Sequence, residues 1–160
     1  MGAAETAGSA VERRLQDLGI TLPDVVPPVA AYVPAVVSGN YVFTSGQLPF
    51  IDGKLPVSGK VGATVDVDTA YGLAATCAVN ALAAIKEQIG DLDRITRIVK
   101  VVGFVSSDPT FTGQPTVING ASELLGKVLG DAGTHARSAV GVAVLPLDAP
   151  VEVEIVAEFV

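Results

Sequence analysis

A single arginine late in the chain has the residue type and position to bind a small acidic molecule. Arg137 stands at the start of a predicted strand, after a loop that contains Gly133 and His135. A guanidinium held in this way can form a bidentate pair with a carboxylate, because its planar fork of donors matches the two carboxylate oxygens. The alternative, from residue type alone, is a surface arginine that binds no ligand.

Two glutamates follow on the last predicted strand, where apolar and acidic residues alternate. Glu152 and Glu154 are separated by Val153, so both carboxylates point to the same side of the strand. One interpretation is a carboxylate directed into a cleft, where it acts as a general acid or base. The other is a solvated strand face without a catalytic role.

A strand-to-loop junction at residues 44–47 offers a third polar group. Ser45 could donate a hydrogen bond to a ligand there, and Gly46 permits close approach because it has no Cβ. The competing interpretation is a serine that only stabilises its own loop. The sequence contains neither the glycine elbow of a nucleophilic serine nor a Ser/His/Asp order.

The remaining reactive side chains favour structural roles. Cys77 lies in the middle of a predicted helix among small residues, which is typical of a buried cysteine. His135 is the one histidine of the chain, and we interpret it as a hydrogen-bonding residue of its loop. With one cysteine and one histidine, the sequence predicts no structural zinc site and no intrachain disulfide.

Charge and composition argue against nucleic acid as a partner. The net charge is −7, and the ten Lys and Arg residues form no run beyond Arg13 and Arg14. A nucleic-acid surface needs a basic stripe to neutralise phosphates, and the chain has no Trp for a stacking platform. We therefore expect no affinity for RNA or DNA.

The sequence predicts a cytoplasmic protein that has no membrane partner. Its N-terminus lacks the charged-then-apolar order of a secretory signal. The longest helix-like apolar stretch, at 73–85, is too short to cross a bilayer. A single cysteine fits a reducing compartment, in which disulfides rarely form.

The secondary-structure elements that must position these side chains follow a mixed α+β order. The length of 160 residues fits one globular domain. We divide the chain into an N-terminal extension at 1–29 and a main domain at 30–160. The extension contains disordered residues 1–8, a short helix at 9–18 and a proline-rich lead-in at 20–30. Helical periodicity predicts two long helices that end at Gly90 and Gly130. Alternation and turn signals predict strands at 35–38, 41–45, 95–105, 138–145 and 151–160. This order predicts a mixed sheet with both long helices on one face.

Two of the predicted strands indicate that the protein forms an oligomer. Residues 99–105 and 138–144 are apolar at both alternating sets of positions, so both faces of the sheet need cover. Two helices can cover only one face. The second face would be a large exposed apolar patch on a monomer, and we expect another subunit to cover it.

Three blocks of residues together resemble the YjgF/RidA family of reactive-intermediate deaminases, whose members are also labelled endoribonuclease L-PSP. The blocks are YVFTSGQLP at 41–49, ARSAV at 136–140, and Leu145-Pro146 followed by VEVE at 151–154. They occur in the family's order and spacing over about residues 30–160. The resemblance implies a chorismate-mutase-like fold, a homotrimer with sites in the clefts between subunits, and a reaction without cofactor or metal.

The resemblance also assigns roles to individual residues. Arg137 matches the arginine that binds the substrate carboxylate, and Glu152 matches the glutamate that assists water. The other substrate-binding positions carried over from the family are Tyr32, Ser45, Gly46, Asn119 and Ala139. The implied reaction is hydrolysis of enamines and imines, such as those that pyridoxal enzymes form from serine or threonine, to 2-keto acids and ammonia.

Several positions depart from the family pattern, which is typical of a divergent branch. Ala139 stands where deaminating members usually carry cysteine, Gly141 where they often carry glutamate, and His135 where they carry proline. The extension at 1–29 is a further difference. Two other functions stay open: binding or sensing of a small carboxylate metabolite without turnover and, against the charge argument, endoribonuclease activity.

Overall fold

The computed structural model describes residues 8–25 and 30–160, which form three α-helices and one five-stranded sheet. The helices are α1 (Ala10–Asp17), α2 (Val67–Ile89) and α3 (Gln114–Leu129). The strands are β1 (Ala35–Ser38), β2 (Tyr41–Thr44), β3 (Ile95–Ser106), β4 (Ala136–Val142) and β5 (Val151–Phe159). The α+β fold predicted from the sequence is confirmed. Most of the predicted disorder at 1–8 and the centre of the proline-rich lead-in, at 26–29, lie outside the described residues.

The sheet is mixed, with the last strand of the chain near its centre. The strand order is β1-β2-β5-β3-β4, and only the β3–β4 pair is parallel. A parallel pair needs a crossover connection, which α3 provides. Strand β4 is an edge strand and the next strand after α3 in the chain, which places Arg137 beside the helix.

The ends of the long helices follow the capping signals in the sequence. The Asp66 carboxylate accepts a hydrogen bond from the backbone N–H of Thr69 (2.7 Å) and begins α2. Gly90 and Gly130 follow α2 and α3 with φ of 84° and 61°, a conformation that favours glycine. Pro115 is the second residue of α3, within the first turn, where its missing N–H costs nothing.

The boundaries of β4 differ from the prediction of a strand at 138–145. The strand begins at Ala136, which pairs with Lys100, and ends at Val142, which pairs with Ser106, the last residue of β3. Arg137 consequently lies within the strand rather than before it. The predicted β1–β2 hairpin is confirmed, with Gly39 at φ 60° in its turn.

The two faces of the sheet differ in their cover. Helices α2 and α3 pack on one face, where Val101 and Ile155 are buried. On the other face Val36, Phe43 and Val140 are 51%, 43% and 44% exposed. We call this second surface the open face; strand register assigns to it Val36, Phe43, Lys100, Val102, Phe104, Val140, Glu152, Glu154 and Val156. The prediction that the long helices cover only one face is confirmed for the described residues.

The short helix α1 packs against the rest of the protein. Val11 and Leu15 lie in the same hydrophobic core as the sheet. The Asp93 carboxylate accepts hydrogen bonds from the first two backbone N–H groups of the helix, at 2.8 and 3.0 Å. The helix ends at Asp17, one residue before the predicted end, and Leu18 is 45% exposed.

Candidate functional site

Arg137 belongs to a hydrogen-bonded network between β4 and α3. Its register opposite the buried Val101 turns the side chain toward the helix. Nη1 donates to the side-chain oxygen of Asn119 (2.8 Å) and to the hydroxyl of Ser122 (3.2 Å), and Nη2 reaches the Pro115 carbonyl oxygen at 3.4 Å. Arg137 is thus a link between strand and helix as well as an oriented cation.

One edge of this guanidinium keeps its donors available. Asn119 and Ser122 accept both hydrogens of Nη1, whereas Nε–H and one Nη2 hydrogen have no partner in the part of the chain that the structure describes. No carboxylate among those residues pairs with Arg137. A carboxylate that approaches along the Nε–Nη2 edge, in the guanidinium plane, can form the two parallel bonds of a bidentate pair.

The residues of β4 that follow Arg137 on the same side of the strand are small. Ala139 and Gly141 point to the same side of the strand, and Ala139 is half-buried against the core. A Cβ at Gly141 would lie 2.7 Å from Nε2 of Gln114, so the amide of Gln114 occupies the room that the glycine leaves. The side of β4 that continues from Arg137 therefore carries neither a thiol nor a carboxylate.

His135 and Ser122 extend the network behind Arg137. His135 Nε2 lies 2.8 Å from the Ser122 hydroxyl oxygen, and Nδ1 lies 2.6 Å from the Gly133 carbonyl oxygen. The interpretation of His135 as a hydrogen-bonding loop residue is confirmed. The sequence analysis missed Ser122, although it lies three residues after Asn119 on α3, a spacing that places both on one helix face.

Glu152 forms a second polar group on the open face. It pairs with Phe104 of β3, and a Cβ at Gly46 would lie only 1.8 Å from its Oε1, so the carboxylate lies directly over Gly46. Burial, and secondarily the negative charge of Glu154, raise the pKa of Glu152 above its usual range. A carboxyl group with a raised pKa accepts and returns a proton more readily near neutral pH.

Ser45 stabilises the loop that carries Gly46. Its hydroxyl donates to the Val33 carbonyl oxygen (2.6 Å), and its backbone N–H donates to that of Pro34 (2.8 Å). These bonds favour the loop-stabilising interpretation of Ser45 and fix the segment that follows Tyr32. The Tyr32 side chain is 61% exposed, so its ring can contact a ligand or a second subunit.

Asn80 is a positioning residue that the sequence analysis missed. From α2, its Nδ2 donates to the carbonyl oxygens of Leu48 (3.0 Å) and Phe50 (3.1 Å). The two bonds tie the loop to the helix and keep Gly46 beneath Glu152. The signal in the sequence was a polar residue that interrupts the apolar stretch at 73–85.

The predicted site residues form two groups rather than one. The first is Arg137, Asn119 and Ala139, between β4 and α3; the second is Tyr32, Ser45, Gly46 and Glu152, around the loop after β2. Arg137 aligns with Val101 and Glu152 with Phe104, which are on opposite faces of β3. One chain therefore does not bring Arg137 and Glu152 together, and a site that uses both needs a second chain.

The other candidate chemistries find little support in the described residues. Cys77 is buried, and burial raises the pKa of its thiol well above the usual value, which favours the unreactive protonated form. Within 8–25 and 30–160, no three His, Cys, Asp or Glu side chains come together to hold a metal ion. In the same residues, no helix has both the length and the apolar character to cross a membrane.

Comparisons with known proteins agree with this architecture. The sequence model of the family described as "YjgF/chorismate_mutase-like, putative endoribonuclease" matches residues 12–159. Protein TCP17 of Trypanosoma cruzi is 44% identical over 153 residues, which are 95% of this chain and 96% of TCP17. The crystal structure of Atu1372 from Agrobacterium tumefaciens is 49% identical with a TM-score of 0.90, covering 94% of this chain and 93% of that one. TdcF of E. coli, solved with bound serine, is 27% identical with a TM-score of 0.58, covering 86% and 93%.

Proposed function

The chain belongs to the YjgF/chorismate-mutase-like family, and from this premise we propose that it hydrolyses reactive enamines and imines to 2-keto acids and ammonia. The observation that carries the proposal is the orientation of Arg137. Asn119 and Ser122 hold Nη1, and the Nε–H and one Nη2 hydrogen have no partner among the described residues, which supports a role for this edge in binding a carboxylate.

The carboxylate of such a substrate lies next to the reacting carbon. A bidentate pair with Arg137 would fix that carbon at a defined distance from the strand. Because imines also hydrolyse without a catalyst, the protein mainly has to supply positioning and charge placement. The bound serine of E. coli TdcF carries the same kind of carboxylate, which supports a carboxylate site in this chain.

In the proposed reaction Glu152 acts on water. It accepts a proton as the water oxygen bonds to the imine carbon, and it returns this proton to the nitrogen, which gives a carbinolamine. The hydroxyl proton then moves to the nitrogen as the carbon–nitrogen bond breaks, so that ammonia leaves and the 2-keto acid remains. An enamine substrate first gains a proton at its terminal carbon and loses one from its nitrogen, which converts it to the imine. The raised pKa of Glu152 supports this role.

We further propose that the working form is a homotrimer with its sites between subunits. Because Arg137 and Glu152 point to opposite faces of one sheet, a shared site takes Arg137 from one subunit and Glu152 from the next. The exposed apolar side chains of the open face supply surface for a partner to bury. Three identical head-to-tail contacts that close into a ring satisfy every subunit.

The proposed reaction uses water as its nucleophile and requires neither a cofactor nor a metal. We also propose a cytoplasmic location. Enamines and imines of this class arise where pyridoxal enzymes act on serine and threonine, and a chain with one buried cysteine suits a reducing compartment.

Binding without turnover is the second candidate function. Ala139 and Gly141 bring no reactive group next to Arg137, so the same geometry suits a protein that holds a 2-keto acid and senses it. Affinity for a keto acid without faster imine loss would favour this candidate.

Endoribonuclease activity is the weaker alternative, because the net charge is −7 without a basic cluster. Cleavage of RNA at physiological salt would reverse that ranking.

The test generates the imine in place with a pyridoxal-dependent serine or threonine dehydratase and follows formation of ammonia and 2-keto acid. We expect the wild-type protein to shorten the lifetime of the imine and the Arg137→Ala variant to lose most of this effect. Arg97→Ala removes an exposed arginine of β3 and serves as the matched control, with the wild-type rate expected. An imine lifetime that is unchanged by the wild-type protein contradicts the proposal.

A further inference from the structure

The hydrogen positions in the His135 contacts follow from the chemistry of the partners. The Gly133 carbonyl oxygen can only accept, so the 2.6 Å contact places a hydrogen on His135 Nδ1. In the neutral ring Nε2 then carries no hydrogen and accepts, so the Ser122 hydroxyl donates to it across 2.8 Å. Ser122 thus has its one hydrogen committed to the histidine.

The direction of the Ser122 hydroxyl hydrogen determines how this hydroxyl interacts with Arg137. With its hydrogen directed at His135, the hydroxyl presents lone pairs to Nη1 of Arg137, which lies 3.2 Å away. Asn119 accepts the other Nη1 hydrogen at 2.8 Å, and two acceptors on one nitrogen fix the plane of the guanidinium. Without the histidine, the hydroxyl is free to turn toward a carbonyl oxygen one helical turn earlier, as serines within helices do.

We propose that His135 is a positioning residue for the carboxylate-binding Arg137 and acts through Ser122. The proposal rests on the proposed function, since it assigns to Arg137 a ligand with a carboxylate. It adds a chain of contacts that runs from the Gly133 carbonyl through His135 and Ser122 to the guanidinium, and it assigns the tautomer of the histidine.

The same pair does not have the surroundings of a nucleophilic serine. A serine nucleophile next to a histidine base also needs donors for the developing oxyanion. Ser122 lies in the interior of α3, where backbone N–H groups are engaged within the helix, and Arg137 already donates to its oxygen. The geometry therefore favours orientation of Arg137 over acyl transfer.

The binding experiment is a double-mutant cycle with 2-oxobutanoate as the probe, read by calorimetry. We expect His135→Ala and Ser122→Ala each to weaken binding by about 3- to 10-fold. The double variant should bind no more weakly than Ser122→Ala alone, because the histidine acts through the serine. His135→Gln should restore most of the affinity, since its amide oxygen can accept from Ser122. Additive losses, or wild-type affinity in His135→Ala, would overturn the proposal.

A second measurement separates this proposal from the proposed function, because it needs no ligand. His135 is the only histidine of the chain, so its ring nitrogens can be assigned directly in a ¹⁵N spectrum. We expect the Nδ1-protonated tautomer, and a sharp Arg137 Nε–H signal that broadens in His135→Ala. The Nε2-protonated tautomer would overturn the proposal whatever the ligand result. Failure of the wild type to bind any 2-keto acid, with the expected spectra, would instead contradict the proposed function.

Discussion

Arg137 and Glu152, the two charged groups of the proposed reaction, are held in different ways. Arg137 bonds to three acceptors on α3, one of which His135 orients in turn. The Glu152 carboxylate lies over Gly46 with no charged partner of opposite sign among the described residues, and burial raises its pKa. The first environment holds a cation in one orientation, which suits binding. The second keeps an acid easy to protonate, which suits proton transfer.

Because the two groups are held in different ways, binding and chemistry can be altered separately in this protein. A change at Glu152 should lower turnover and leave ligand affinity nearly unchanged. A change at Arg137 should mainly lower ligand affinity. Since the two groups lie on opposite faces of one sheet, their cooperation also depends on the contact between subunits.

The largest expected effect is that of Glu152→Gln on turnover. A positioned acid or base typically contributes about 10²–10⁴-fold, so imine hydrolysis should slow by a factor in this range. Affinity for a 2-keto acid should stay within about twofold, since the amide keeps the size of the carboxyl group. Glu158→Gln, on the same side of β5, is the control. Turnover at the wild-type rate would show that Glu152 belongs to a solvated strand face.

Arg137→Ala should have the next largest effect, on binding. The variant loses its hydrogen bonds to the charged carboxylate, and this loss should weaken keto-acid affinity by roughly 10- to 150-fold. Arg137→Lys should recover only part of it, because an ammonium group lacks the planar fork. Calorimetric titration of both variants beside Arg97→Ala measures this. Wild-type affinity in Arg137→Ala would place the carboxylate site elsewhere.

The melting curve of Arg137→Ala carries separate information. The side chain also links β4 to α3, so we expect a cooperative transition lowered by about 2–4 °C, as a loss of about 1 kcal/mol gives for a domain of this size. Loss of cooperative unfolding would show that the main role of Arg137 is structural.

Gly46→Ala should lower turnover through Glu152. The new Cβ would meet the end of a flexible side chain, so the carboxylate moves aside and the fold survives. Displacement of a catalytic group by about 1 Å can cost up to about 10²-fold, and we expect at least about 10-fold. Gly72→Ala is the control, because nothing lies within 4 Å of its Cβ. In a Glu152→Gln background, Gly46→Ala should add nothing; a further loss there would show that the alanine acts on something other than Glu152.

The smallest expected effect is on stability and its pH dependence. The raised pKa of Glu152 means that the folded chain retains a proton that the unfolded chain has released, so this group costs stability as pH rises above the usual glutamate range. Glu152→Gln removes that cost. Its Tm relative to wild type should therefore increase between acidic and neutral pH, by no more than about 3 °C. A difference in Tm that stays constant over this range would contradict the raised pKa.

The parts of the molecule with local signals could be predicted from the sequence. Gly90 and Gly130 correctly marked the ends of the two long helices, and turn signals separated β1 from β2. Alternation identified β5 and placed Glu152 and Glu154 on one face. The three sequence blocks led to the family, because they combine local motifs with the right spacing.

The remaining features depend on contacts between distant parts of the chain. The register of β4 follows from its parallel pairing with β3, and only that register shows Arg137 and Glu152 on opposite faces. Asn80 holds a loop about thirty residues before it, and Ser122 contacts a histidine in the loop before β4, so neither role has a local signature.

If one site uses Arg137 of one subunit and Glu152 of another, mixing the two impaired variants should restore activity. Arg137→Ala and Glu152→Gln are each purified, unfolded together in equal amounts and refolded, so that subunits mix at random. In a ring of shared sites, about a quarter of the sites then combine an intact arginine with an intact glutamate. We expect about a quarter of the wild-type imine hydrolysis to return, whereas each variant refolded alone keeps only its own low residual activity. A mixture no more active than the average of the two variants, although subunit exchange is verified by mass, would contradict the claim.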